Sequence, residues 1–290
     1  MSERFELPKG SRGYPWQLLQ TQRPPAVLYG IGEPSALGPG LAIIGARKAT
    51  PYGLRCARTF ADCAARLGVT VISGAAMGCD LEAQTAALEA GGVTVAVLGT
   101  GADVDYPRRA AAALAKMRSG SGAVVSELAW GTTPRPGQFP ARNRIIAGLA
   151  AAVLVVEAAL PSGTFSTADS ALDAGRDVLA VPGSILYAGS AGSNRLIRQG
   201  AAPITCVEDL ADALESCGLT SGERPGTDPL ADGTRAVSDP ILNAVRAHPM
   251  FPDMLAQTLG IEAAAVLLGL GALEARALVA RYPDGRYGPC

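Results

Sequence analysis

The sequence predicts an α/β protein: an extended Rossmann-like, mostly parallel, doubly wound sheet followed by a small C-terminal winged-helix-like domain. Three observations lead there. Short apolar runs alternate with segments of helical period from Leu41 to Ser216, which is the signature of βαβ units. The runs are continuous rather than alternating, as strands covered on both faces require. They end in turn residues, at Gly45, Ser73-Gly74, Gly99 and Pro182-Gly183. In such a sheet the carboxyl ends of the strands hold the ligand.

The elements follow in order. Residues 1–40 form a short N-terminal extension in which Pro8, Pro15, Pro24, Pro25, Pro34 and Pro39 exclude long regular elements. The run Ala26–Tyr29 fits a short edge strand. Residues 41–216 form the main domain. Its predicted strands are 41–44, 69–72, 93–98, 123–125, 152–156, 178–181 and 202–205. The predicted helices are 55–67, 80–89, 107–118, 144–149, 167–174, 194–199 and 207–216, with a long loop over 127–141. In the first helix, Cys56, Phe60, Cys63 and Leu67 are spaced for one buried face. Residues 217–235 are rich in Gly, Ser, Asp and Pro and read as a linker. Residues 236–290 carry three helical patterns and then Asp284-Gly285, a strong hairpin signal.

Composition narrows the function. The chain has 290 residues, 48% of them hydrophobic and 5% aromatic. That suits one large and one small domain packed mainly with aliphatic side chains. The net charge is −1, yet residues 41–150 carry 12 Lys and Arg against 7 Asp and Glu. A locally positive half permits a focused anion site. The C-terminal unit, with 4 Arg against 5 acids, is poorly suited to gripping phosphates. Six cysteines without a C-x-x-C pair, and the single His248, give no zinc pattern, so no metal is expected. The longest apolar stretch, Ile145–Leu160, is broken by Glu157 and too short to span a bilayer. A reduced, cytoplasmic protein without membrane insertion is expected.

Three segments carry candidate chemistry. The first is Gly45-Ala-Arg-Lys48, directly after a strand. Gly45 allows close approach, and Arg47 and Lys48 place cations where a helix N-terminus also favours anions. From position alone, phosphate binding and solvated loop charges both stand. The second is Phe139-Pro-Ala-Arg-Asn-Arg144. Arg142 and Arg144 have the forked geometry for phosphate, and Phe139 can stack on a base. The other readings are surface ion pairing for the arginines and core packing for the aromatic. The third is Ser162-Gly163-Thr164, at a helix start that either cradles a phosphate or simply caps the helix. There is no G-x-x-x-x-G-K-[ST], and Gly99-Thr-Gly101 lacks the third glycine of the dinucleotide fingerprint. No cofactor is expected. Asp80, Glu127 and Glu157 sit near strand ends, with nothing in their spacing to make two of them converge.

These segments together resemble the DNA-processing protein A (DprA/Smf) family. The resemblance is carried by Ile43-Ile-Gly-Ala-Arg-Lys-Ala-Thr-Pro-Tyr-Gly53, Val71-Ile-Ser-Gly-Ala-Ala-Met-Gly-Cys-Asp80, Val95–Gly99 with Tyr106-Pro107, and Phe139–Leu149. It continues through Val155–Ala158, Ser162-Gly-Thr164, Ala180-Val-Pro-Gly183 and Gly192-Ser-Asn194, and spans about Tyr14 to Leu214. It implies single-stranded DNA as ligand, a homodimer, and loading of the RecA recombinase during natural transformation, with no catalytic residues. By matching motif, it implies a DNA pocket formed by Gly45, Arg47, Lys48, Ser73, Gly74, Phe139, Arg142, Asn143 and Arg144, with Ser162 and Gly163 on its rim. Two positions depart from the family pattern: Gln84 stands where a histidine is usual, and Ala46 replaces a frequent serine. Residues 1–40 leave no room for the N-terminal helical domain of many members.

A competing reading is a nucleotide-processing phosphoribohydrolase-like enzyme on a related sheet. Its glycine-rich loop falls near Pro161-Ser-Gly-Thr164, where the second glycine and the catalytic glutamate are unmatched.

Overall fold

The computed structural model describes residues 3–220 and 239–289. A nine-stranded sheet forms the centre. Its strands are β1 (Arg4–Pro8), β2 (Val27–Gly32), β3 (Gly40–Ile44), β4 (Val71–Ser73), β5 (Thr94–Val97), β6 (Gly122–Ser126), β7 (Ala150–Val155), β8 (Asp177–Ala180) and β9 (Ala202–Pro203). They lie in the order β1-β2-β6-β5-β4-β3-β7-β8-β9. From β6 across to β9 all neighbours are parallel. Strand β2 runs antiparallel to both β1 and β6. The strand order turns at β3, with β4 on one side and β7 on the other. A doubly wound sheet opens its ligand crevice at such a switch point.

Helices cover both faces. They are α1 (Pro51–Arg66), α2 (Cys79–Glu89), α3 (Ala111–Lys116), α4 (Gln138–Leu149), α5 (Thr164–Asp173), α6 (Ala191–Arg198) and α7 (Val207–Ser216). The period of two along β3 sorts its side chains between the layers. Leu41 and Ile43 join Phe60, Cys63 and Leu210 under α1 and α7. Ala42 and Ile44 join Ile145, Leu149 and Ala168 under α4 and α5. The predicted face of α1 is buried as spaced, with Cys56, Phe60 and Cys63 at most 2% exposed. The helix starts before its apolar face does, because Thr50 accepts a hydrogen bond from the Gly53 N–H and Pro51 fits the first turn.

Two differences from the sequence reading bear on function. Residues 1–40 are built into the main sheet rather than appended to it: β1 and β2 extend it, and Leu18, Leu28 and Leu37 enter its core. The prolines there mark element ends, as Pro8 does for β1, so they do not prevent short strands. The loop expected through Ala141 instead ends at Gly137, and α4 begins at Gln138. Pro140 is tolerated because the first turn has no intrahelical N–H partners to lose.

In the C-terminal unit, α8 (Pro240–Ala247), α9 (Pro252–Leu259) and α10 (Ala263–Ala275) precede a hairpin of β10 (Val279–Arg281) and β11 (Tyr287–Pro289). Its own core includes Leu242, Val245, Leu255, Val266 and Leu270. It meets the main sheet domain where His248 Nδ1 lies 3.2 Å from Ser184 Oγ and the Arg286 guanidinium lies 5.1 Å from the centre of the Tyr187 ring. Most of the expected linker, at 221–235, falls outside the described residues. Among the described residues no single helix is long and apolar enough to cross a membrane.

Candidate nucleic-acid interface

A cavity of about 380 Å³ opens at the switch point, beyond the carboxyl ends of β3 and β7. Gly45 and Arg47 reach it from the β3–α1 loop, Phe139, Arg142 and Asn143 from α4, and Ser162 and Gly163 from the β7–α5 loop. Seven of the residues expected at the site are thus brought together. An adjoining hollow of about 90 Å³ shares Arg47, Phe139 and Arg142 with it and adds Gly74.

The two arginines of this cavity differ in kind. Arg47 is exposed and stands 5.8 Å from the centre of the Phe139 ring, within cation–π range. Arg142 is only 5% exposed. Its Nη1 donates to the carbonyls of Gly74, at 2.7 Å, and Val97, and its Nε donates to Asn143 Oδ1 at 3.3 Å. Burial lowers its pKa to about 10, opposed by the charge of Asp80. It therefore remains a cation at neutral pH, fixed beneath the cavity floor. A Cβ on Gly74 would come within 2.5 Å of the guanidinium, so only glycine leaves it space. Arg142 was expected to grip phosphate as an open fork. Its Nη1 and Nε are instead engaged by protein acceptors, which leaves Nη2 without a partner among the described residues.

Asp80 completes this floor. Its carboxylate accepts from the Gly74 N–H at 3.1 Å, and burial pushes its pKa above the usual carboxylate range, opposed by Arg142. Among the described residues it is the single acidic side chain lining the cavity. Glu157 faces elsewhere. It accepts from the N–H and hydroxyl of Thr50, at 3.2 and 2.7 Å, at the start of α1. Its pKa too is raised by burial, with the Thr50 bonds opposing. The geometry offers anion attraction and stacking.

Three expected residues lie apart. Ser73 is fully buried and its hydroxyl donates to the Ile43 carbonyl at 2.6 Å. It ties β4 to β3 instead of presenting a hydroxyl to a ligand. Lys48 is exposed but outside the cavity lining. Arg144 points to another side of α4, where its Nη2 lies 2.5 Å from Glu127 Oε2. Residues two apart on a helix do not share a face, and once 142 is inside, 144 is not. On the rim, the Ser162 hydroxyl accepts from the Thr164 N–H at 3.2 Å, so part of the α5 N-terminus is capped from within. Gly45 packs against Cys79, whose Sγ a Cβ would meet at 2.6 Å. Gln84, at the departed histidine position, is fully buried and donates to the Val95 carbonyl at 3.0 Å.

The sequence reading missed Tyr106 as a site residue. It is 42% exposed, its ring centre is 5.5 Å from that of Phe139, and it lines the smaller hollow. The available signal was its position in the loop after β5, at a strand's carboxyl end.

Fold and site define a doubly wound α/β protein with a cationic, aromatic crevice at its switch point. The family model for DNA recombination-mediator protein A matches residues 7–215, and the chain belongs to that family. It is 45% identical over 210 residues to Protein Smf of Escherichia coli, covering 72% of this chain and 56% of that protein. The chain thus spans little more than half of that relative. It is 39% identical over 203 residues to DNA processing protein DprA of Streptococcus pneumoniae, covering 70% and 71% of the two chains. The solved DprA from S. pneumoniae matches with a TM-score of 0.68 at 36% identity, over 72% of this chain and 74% of that one. DNA processing protein A from Helicobacter pylori, solved to describe its single-stranded DNA binding mode, matches with a TM-score of 0.66 at 28% identity, over 74% and 96%.

Proposed function

We propose that this chain binds single-stranded DNA in the switch-point cavity and serves as a recombination mediator, holding incoming strands during transformation and passing them to the RecA recombinase. The observation that carries the reading is the convergence of Arg47, Arg142 and Phe139, from two separate segments, on one cavity. Cations held beside an aromatic face suit a polymer that offers phosphates and unpaired bases together. A duplex keeps its base faces stacked and offers only half of that. The binding mode described for the H. pylori relative supports the same ligand. The reading is of a binding protein that works as a homodimer in the cytoplasm, without catalysis. Among the described residues Asp80 is the one acid lining the cavity, and its bond from the Gly74 N–H supports a structural part for it in the floor.

The test is binding to labelled oligonucleotides across a salt series. Single strands are expected to bind more tightly than duplex, with a slope of about −0.7 per phosphate neutralised. Equal affinity for duplex, or release of free base from nucleoside monophosphates, would reverse the conclusion.

A further inference from the structure

The crevice does not stop at Phe139. The smaller hollow opens on the far side of that ring toward Met77 and Tyr106, each 42% exposed. The Tyr106 and Phe139 rings, 5.5 Å apart and inclined by 38°, are too close to admit a base between them. That would take roughly 7 Å, twice the ~3.4 Å rise of stacked bases. They form instead one broken aromatic surface, and Tyr106 carries it outward. Directly after Tyr106-Pro107, a single turn exposes Arg108 and Arg109. Nearby Arg118 is answered by Asp105 at 2.6 Å, whereas neither Arg108 nor Arg109 has an ion-pair partner among the described residues.

We propose that a bound single strand continues from the central cavity across Tyr106 to Arg108 and Arg109. A second base lies over the smaller hollow, against the outer face of Tyr106 and the Met77 thioether. The two arginines hold the phosphates beyond it. Each nucleotide carries a base beside its phosphate, and an exposed ring with two cations next to it in the chain can take both. The inference rests on the single-strand reading above and extends it by a second base subsite and the phosphate contacts beyond it.

The test uses the full chain, fluorescein-labelled oligothymidylates, and the same strands with one abasic unit moved stepwise along them. Tyr106→Ala is expected to weaken binding at least about fivefold without changing the salt slope, since stacking exchanges no ions. Tyr106→Phe is expected to bind like wild type. Arg108→Ala with Arg109→Ala is expected to reduce the slope by about 1.4, for two phosphates at ~0.7 each. The wild type should show two positions sensitive to base removal, and Tyr106→Ala only one. A wild type that binds but has one sensitive position, with variants indistinguishable from it, overturns the second subsite and leaves the central one standing. A wild type that binds no single strand at all removes both.

Discussion

Arg142 and Arg47 show how one residue type serves two ends in one crevice. Arg142 is a buried charge balanced by Asp80 and by two carbonyls, so removing it strands the acid. Breaking such a buried arrangement typically costs about 3–5 kcal/mol. Arg142→Met is therefore expected to lower the thermal midpoint sharply, as calorimetry would register. Arg47 is exposed, and its guanidinium stands 5.8 Å from the centre of the Phe139 ring. Arg47→Ala should leave the midpoint within the range of ordinary surface changes, about 0.5 kcal/mol, while reducing the DNA salt slope by about 0.7. Gly74→Ala separates geometry from charge: the added methyl meets the guanidinium at 2.5 Å and should destabilise by about 1–3 kcal/mol, with DNA affinity falling as Arg142 is displaced. The buried acids also set a pH dependence. Asp80 and Glu157 both titrate above their ordinary range in the fold. Between the ordinary and the raised values the folded chain holds protons that the unfolded chain has released, so stability falls as pH rises through that window and levels off above it. Glu157→Gln should flatten this fall in unfolding midpoints taken from roughly pH 4 to 7.

At the scale of elements, α4 decides which arginine faces the crevice. The residues Phe139, Arg142, Asn143 and Arg144 were legible in the sequence as a cationic, aromatic cluster. Their faces were not, because Pro140 made the segment read as loop and hid the helical rotation that separates 142 from 144. Arg144→Ala is accordingly expected to leave the DNA salt slope unchanged, and a double-mutant cycle with Glu127→Ala to give about 0–1 kcal/mol. The first strand was invisible for a related reason. Arg4–Pro8 is five residues ending in proline, and its pairing partner β2 lies some twenty residues on, a non-local contact that no window reads. Its attachment depends on Gly30, whose missing side chain leaves room for the Phe5 ring. Gly30→Ala should push that ring aside and speed hydrogen exchange over residues 4–8, with the parallel strands unaffected. The direction of the Ser73 hydroxyl was hidden for a simpler reason: a serine at a strand end can face a ligand or a neighbouring carbonyl, and its neighbours in sequence do not decide which.

At the scale of the whole molecule, the βαβ rhythm from Leu41 to Ser216 fixed the class of the sheet because each strand is covered on both faces and so reads as an unbroken apolar run. Strand order is another matter, since pairing β3 with both β4 and β7 is a tertiary choice. The cavity draws only on residues between Ile44 and Thr167. A chain ending at Gly218 is therefore expected to keep its single-strand affinity and salt slope, and light scattering on both lengths would report whether pairing of copies also survives. Arg142 and Arg47 also differ in how far salt can reach them. Dissolved ions crowd around open charges and quench them within about a nanometre, and they screen a guanidinium only 5% exposed much less. Brine should thus weaken the hold of the exposed Arg47 at the rim more than that of Arg142 at the centre.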